Sequence, residues 1–416
     1  MTIIPFIALV VLLVALWRLE LGVGAVILLW PAYLIRTTVV GIPITALELS
    51  LYALAAAFVI RSVARRRMTW PQLPRPLMFF IGLWIIAWIL ATIFSVDHRA
   101  SLGAFKAWLV DPLLFGWLLL SCIRTERQRT TVISATMLSG AMVAMAGLVQ
   151  LIWFRDTLED ARLSSFFAPV ANYAAMFIGP LLALNIGLLL WKQMSRWWWT
   201  AVAIMALALI LTVSFGGYLA VGVGTLMLWW RWPGRRTRMV ALLAGIVVAG
   251  IGLLALSRTP YLAEKFKTTD RSSSLVRTQI WRTSWEMIKE RSWFGVGPNA
   301  YEPIYRQTIP RLYWSPLEWL VSQPHNLYLA LWLETGLLGL ISFFVLVMLW
   351  TRRLWRRVLA RDAVAIACLS AMAAILAHGF VDTPLFKNDL ALLLVFVLLL
   401  PLLNIDPHPS DTEDVG

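Results

Sequence analysis

The sequence predicts an all-α fold: a polytopic transmembrane helical bundle of about 12 spans with one large, partly helical extracytoplasmic loop. Three observations predict it. The 416 residues are 60% hydrophobic and only 14% charged, where soluble domains hold about 45–50% and about 25%. Apolar runs approaching the ~20 residues that cross a bilayer recur from end to end. The breaks between them gather arginine. Such a composition excludes most soluble enzyme classes.

In chain order the candidate spans are 3–17, 20–35, 44–60, 77–95, 104–121, 130–154, 169–190, 197–213, 215–231, 238–256, 326–350, 362–380 and 389–404. The first run has neither a basic n-region nor a small-residue cleavage site and is read as a retained span. Between spans stand Arg61, Arg65, Arg66, Arg67 and Arg75, then Arg124, Arg127 and Arg129, then Arg231, Arg235, Arg236 and Arg238, then Arg352, Arg353, Arg356, Arg357 and Arg361. Cytoplasmic loops look like this under the positive-inside rule. The same clustering accounts for 36 Lys+Arg against 22 Asp+Glu, a net +14, without a nucleic-acid partner.

Parity then places residues 96–103, 155–168, 257–325 and 381–388 outside. The chain divides into an N-terminal transmembrane bundle (1–256), an extracytoplasmic loop with amphipathic helices (257–325), C-terminal transmembrane helices (326–404) and a disordered tail (405–416). Cys122 and Cys368 lie far apart, at or inside spans, and read as unpaired. No repeat of 20–50 residues recurs, and no matched pair of broken helices suggests the inverted repeat of a secondary transporter.

Chemistry concentrates in the outer segments. A helix opening near Ser272-Ser273-Ser274 puts Arg277, Trp281, Trp285 and Ile288 on one face, four, eight and eleven residues apart. That face suits the headgroup layer. A cation in the first helical turn is disfavoured by ~0.3–1 kcal/mol, and a bound phosphate would relieve this; the other reading of Arg277 is an arginine snorkelling to lipid. The helix is expected to stop at Gly295-Val296-Gly297-Pro298, with Tyr301 and Glu302 in the loop beyond.

His325 follows Pro324 at the outer end of a span. Its helix-start dipole should favour the neutral ring, fit to accept a proton near neutrality, although a histidine at a helix end also serves structure alone. With His98, His378 and His408 the only others, a three-histidine metal site is not expected, and no metal or other cofactor is read. Glu48, Lys106, Asp111 and Glu334 are charges inside spans that must face the bundle interior. Glu334 is about half a turn round from His325 and ~13 Å deeper, which reads as a buried structural carboxylate. Arg162 precedes a span whose first turn holds Asn172, on the outer side that also carries Arg277 and His325.

In this order the motifs resemble those of the O-antigen ligase and polymerase superfamily of bacterial inner-membrane proteins. They are R…P-x-x-N (Arg162, Pro169, Asn172), S-x-x-x-R…W (Ser273, Arg277, Trp281), G-x-G…Y (Gly295, Gly297, Tyr301) and H-N-x-Y-L…E-x-G-x-x-G (His325, Asn326, Tyr328, Leu329, Glu334, Gly336, Gly339). The resemblance covers most of the chain. It implies a metal-independent inverting glycosyltransferase of the GT-C kind that moves a glycan from undecaprenyl diphosphate to a hydroxyl of a glycolipid, glycan or protein. His325 matches the family's general base and Arg277 its diphosphate-holding arginine. Arg162, Asn172, Lys106, Tyr301 and Asn326 are the expected substrate-binding residues. One departure stands out: where the family has S-R-G at the tip of a helical hairpin, this chain has Ser214-Phe215-Gly216. Another cation such as Arg162 or Lys106 would have to substitute. The competing readings are a transporter of a small solute such as bicarbonate and a non-catalytic partner in envelope assembly.

Overall fold

A computed structural model describes residues 3–39, 42–66, 70–154, 162–167, 170–191, 195, 197–231 and 273–405. They are almost entirely helical. The helices are α1 (Ile3–Trp17), α2 (Leu19–Leu28), α3 (Ala46–Ala64), α4 (Arg75–Ile93), α5 (His98–Phe105), α6 (Asp111–Cys122), α7 (Glu126–Trp153), α8 (Ala171–Trp191), α9 (Trp197–Leu211), α10 (Phe215–Arg231), α11 (Ser273–Glu290), α12 (Tyr301–Leu312), α13 (Leu327–Leu359), α14 (Ala363–His378) and α15 (Asn388–Leu399). Among the described residues six helical stretches are long and apolar enough to cross a membrane, and six shorter helices are also apolar. The chain is a multi-pass membrane protein. The expected span at 238–256 and the tail from 406 lie outside the described residues.

Helix starts follow capping chemistry. Thr45 and Glu48 form a reciprocal capping box on α3, and Thr125 and Gln128 form another on α7. Asp97, Asn326 and Asp362 accept from first-turn amides of α5, α13 and α14. Two local expectations change. The run 20–35 is not one crossing: Pro31 cannot donate to the α-helical ladder, so α2 stops at Leu28 and a 3₁₀ turn (Trp30–Leu34) follows. An antiparallel hairpin of β1 (Arg36–Val39) and β2 (Ile42–Thr45) then departs from the all-α expectation, as β-branched Thr37, Thr38 and Val39 favour extended backbone. The crossing expected at 104–121 is a continuous His98–Cys122 helix. It carries a π turn at Lys106–Val110 just ahead of Pro112, where the ladder loses a donor.

The core gathers round fully buried Trp30, which meets Phe115, Phe177 and Phe396 edge-on at 6.2, 6.2 and 5.9 Å. α14 packs on α8 and α10 through small residues: a Cβ at Gly187 would stand 2.7 Å from the Ala367 backbone. Close approach of backbones through glycine and alanine is how helices pack in lipid. Cys122 and Cys368 are free and buried, as read from the sequence.

The segment carrying α11 and α12 is held by a break in α13. Gly336 takes φ 70° and ψ −179°, interrupting the ladder of a buried helix. The turn after α11 repairs it: Val296 N–H donates to the Leu333 carbonyl at 2.7 Å, and Leu337 N–H to the Ser292 and Trp293 carbonyls at 3.2 Å. The Glu334 carboxylate accepts from Asn299 N–H, so Glu334 is the buried structural carboxylate its depth implied. On its other side the turn binds the α4–α5 junction, where Val96 N–H and Ser101 Oγ donate to the Val296 and Pro298 carbonyls at 3.1 and 2.7 Å. Gly295 and Gly297 both have positive φ, and each faces an atom that no Cβ tolerates.

Gly336→Ala puts a Cβ 2.2 Å from the Trp293 carbonyl oxygen at a positive φ. It should destabilise the detergent-solubilised protein by at least ~1–3 kcal/mol, read as a lower thermal midpoint in tryptophan fluorescence. Gly103→Ala, whose Cβ meets nothing within 4 Å, should leave that midpoint equal or slightly higher.

Candidate functional site

The candidate residues sit at helix ends remote from the arginine clusters. α7 begins beside Arg124–Arg129 and runs toward Arg162, whereas α13 begins after His325 and ends among Arg352–Arg357. The loop 379–387, between α14 and α15, is where these ends meet.

His325 has φ 47°, in the left-handed region that few non-glycine residues occupy. It is pinned from four directions. Asn326 accepts from Tyr328 and Leu329 N–H at 3.0 and 3.1 Å and donates to the Phe380 carbonyl at 3.0 Å. Leu327 N–H donates to the Gly379 carbonyl at 2.7 Å. Gln323 donates to the Phe386 carbonyl at 3.1 Å and pairs with Thr383 Oγ1. Trp281 Nε1 donates to the His325 carbonyl at 3.3 Å, joining α11 to the site. Asn326, expected to bind substrate, therefore spends both side-chain ends on capping and on loop 379–387. It positions its neighbour.

The imidazole finds a partner that the sequence reading missed. His325 Nδ1 lies 3.1 Å from Asp382 Oδ1, and Asp382 is 2% exposed. With Nδ1–H donating to the carboxylate, Nε2 of the neutral ring keeps its lone pair, on a side chain that is 41% exposed. Burial pushes the histidine pKa down, but the charge and hydrogen bond of Asp382 outweigh it, with Arg277 opposing and Glu318 assisting, and the net pKa is raised. Asp382 stays ionised: burial raises its pKa, yet His325, His378 and Arg277 bring it down to about 2. The break between spans at 381–388 was legible, and an acidic residue within it was the available signal.

Arg277, in the second turn of α11, exerts its charge on both His325 and Asp382. Among the described residues it makes no hydrogen bond or ion pair. The face it shares with Trp281, Trp285 and Ile288 packs partly inside the protein, with Trp285 still 47% exposed. Ile288 is buried, Trp281 binds the His325 carbonyl, and Trp285 meets Trp332 edge-on at 5.9 Å. The serine proposed to cap α11 and Pro169 lie outside the described residues.

Arg162 and Asn172 do meet: Arg162 Nη2 donates to Asn172 Oδ1 at 2.9 Å. The same guanidinium binds the Thr212 and Val213 carbonyls at 2.9 and 3.4 Å, at the hairpin tip that carries Phe215. Phe215 is 67% exposed. Behind the tip, Gly216 packs directly on the His378 ring, where a Cβ would be 2.6 Å from Nε2. At the far end of loop 379–387, Lys387 lies 4.7 Å over the ring of Tyr173, the neighbour of Asn172. Lys387 is a second ionisable residue that the sequence reading passed over.

Two expected binding residues go elsewhere. Lys106 forms an ion pair with Glu48 at 2.9 Å and lies 3.7 Å from Asp111, and it stands 5.6 Å from the Tyr52 ring; its charge is already compensated. Tyr301 is not in a loop. It opens α12, is fully buried and shares its hydroxyl with Ser284 at 2.8 Å, because α11 ends at Glu290, before the glycine turn. It stacks on Tyr305 in the core joining α11 and α12, with its hydroxyl pKa pushed well up by burial. Among the described residues no cluster of three His, Cys, Asp or Glu has metal-site geometry.

The O-Antigen ligase family model matches residues 200–344, a stretch containing Phe215, Arg277 and His325. Among characterised proteins, the O-antigen ligase of Salmonella typhimurium (strain LT2) is 24% identical over 304 residues, covering 69% of this chain and 72% of that protein. Both similarities support the superfamily that the motif order implies.

The pair fixes a pH dependence. A raised histidine pKa stabilises the fold below the free-histidine value of about 6.5 and loses that contribution as pH rises through the folded value. The depressed Asp382 pKa contributes above about 4 and is lost as pH falls toward about 2. In Asp382→Asn, burial and Arg277 act on His325 unopposed by that carboxylate. Its titration, followed by NMR of labelled histidine, should move to lower pH; an unmoved titration would show that the carboxylate does not bear on the ring.

Proposed function

We propose, on the premise that this chain belongs to the O-antigen ligase superfamily, that it transfers a glycan from undecaprenyl diphosphate to a hydroxyl on the outer face of the bacterial cytoplasmic membrane. The observation that carries this reading is the His325–Asp382 pair beside an Arg277 whose guanidinium is uncommitted among the described residues. A base oriented by a buried carboxylate, next to a free guanidinium, suits attack by a hydroxyl with departure of a diphosphate.

In this mechanism the acceptor oxygen attacks the anomeric carbon from the face opposite the diphosphate and gives its proton to His325 Nε2. The new glycosidic bond forms as the bond from carbon to the diphosphate oxygen breaks, and the single displacement inverts the centre. The imidazolium is held by Asp382. Negative charge developing on the leaving group falls to Arg277. The reaction as written needs no metal, since the guanidinium groups supply the counter-charge and the donor is already activated.

For the arginine missing at Phe215, the geometry favours Arg162 over Lys106. Arg162 is tied to the carbonyls of residues 212 and 213 at that hairpin tip, whereas Lys106 is paired with Glu48. Asn172 orients the Arg162 guanidinium toward the diphosphate. The acceptor class consistent with this chemistry is any hydroxyl on a glycolipid, glycan or protein brought to Nε2.

His325→Ala should lower transfer from a polyprenyl-diphosphate glycan by ~10²–10⁴-fold or more while leaving the thermal midpoint within a few degrees; equal turnover would remove the base assignment. Arg162→Ala and Arg277→Lys should each reduce kcat, the second because an ammonium lacks the two-pronged geometry that fits phosphate, whereas Lys106→Ala should affect stability more than kcat.

A further inference from the structure

We propose that the loop from Tyr313 to Ser322, between α12 and His325, carries a subsite for a sugar acceptor, in which the Glu318 carboxylate holds two neighbouring hydroxyls and the Trp319 indole covers a ring face. The assignment rests on the transfer reading above and narrows its acceptor from any hydroxyl to a neutral glycan. The loop is fixed to the elements that build the site. Leu317 N–H donates to Oε1 of Gln279, two residues beyond Arg277 on α11, at 3.0 Å. Tyr305 of α12 donates its hydroxyl to the Glu318 carbonyl at 3.0 Å. Pro316 and Val321 are buried on either side, and the chain then runs directly into Gln323, Pro324 and His325. A held backbone thus presents two outward-facing side chains.

What those side chains offer selects the occupant. Glu318 is exposed, and its carboxylate makes no hydrogen bond or ion pair among the described residues, whereas Glu286 and Glu290 of α11 are paired with Lys289 and Arg311. Its charge nevertheless acts on the His325 ring, so it lies near the base and not on a remote surface. Trp319 beside it is 49% exposed. A carboxylate accepts at two oxygens, matching a pair of vicinal sugar hydroxyls, and such charge-assisted bonds are short and strong. An indole gives a flat apolar surface that fits the C–H face of a pyranose. Other occupants fit less well. Glu318 repels a phosphorylated ligand or an anionic lipid headgroup, and a loop sunk among lipids would have to desolvate it. A basic peptide would suit Glu318 but would meet Arg277, which also acts on His325. The lipid-linked donor brings a diphosphate, so the carboxylate belongs to the acceptor side of the base and Arg277 to the donor side.

The test uses the full chain in phosphatidylcholine nanodiscs and reads binding, so that it stands apart from turnover. A neutral hexose trisaccharide, titrated by saturation-transfer NMR, should bind. Glu318→Gln and Trp319→Ala should each weaken it by about tenfold, the loss expected for one hydrogen bond to a charged group or one stacked ring, at an unchanged thermal midpoint. Should the alanine variant fail to fold, Trp319→Leu, apolar but without a ring, takes its place. Polyprenyl diphosphate should show the opposite pattern, weakened by Arg277→Lys and not by Glu318→Gln. No binding of the trisaccharide, equal affinity in Glu318→Gln and the unmodified protein, or equally tight binding of a phosphorylated trisaccharide or of a peptide containing serine and lysine would overturn the proposal. Failure of polyprenyl diphosphate to bind would instead end the transfer reading, and trisaccharide binding that still depended on Glu318 and Trp319 would leave the glycan subsite standing.

Discussion

A buried helix cannot be broken inside an apolar medium unless its freed backbone groups are satisfied, since each one left bare there is worth several kcal/mol. α13 is broken at Gly336, and the turn between α11 and α12 satisfies it with hydrogen bonds to Leu333 and Leu337. That exchange is what makes the segment carrying α11 and α12 part of the bundle. Without it, α11 would have no fixed relation to the start of α13, and Arg277 would have no fixed relation to His325. The glycines of the outer turn and the E-x-G of the span are thus two halves of one joint, separated by about forty residues of sequence.

A second constraint is supplied by the loop 379–387. Its Asp382 orients the imidazole, its Phe380 and Phe386 carbonyls receive Asn326 and Gln323, and its Lys387 caps the ring of Tyr173. The Q-P-H-N run therefore acts as a clamp on this loop, with the histidine at its centre held in a left-handed conformation. The arrangement separates two electrostatic environments. Around Lys106, Glu48 and Asp111, opposite charges neutralise one another inside the bundle. Around Arg277, positive charge is left without an ion-pair partner among the described residues.

Much of this was legible from residue order alone. The apolar runs gave most helix positions, Glu334 was correctly read as structural from its depth, and the Arg162–Asn172 proximity followed from both lying at one end of a span. Lys106 and Tyr301 have partners inside the protein that the sequence did not show: a residue type and a position do not reveal whether a side chain is already occupied. Lys106 is taken by a carboxylate from α3, and Tyr301 by a serine on the preceding helix. Asp382 was missed because it has no motif of its own and is distinguished only by what it touches.

Composition, the spacing of apolar runs and the placement of arginines by themselves determined that this is a multi-pass helical membrane protein, and motif order alone pointed to a resemblance to the O-antigen ligase superfamily. Those are one-dimensional properties, set by how much of each segment water will tolerate. Only the tertiary structure decided which polar groups in the outer segments are spent on one another and which are left to meet a ligand. That distinction depends on pairings such as Asp382 with His325, fifty-seven residues apart. No local pattern encodes such a pairing, because the free energy that selects it comes from burying two remote pieces of chain together.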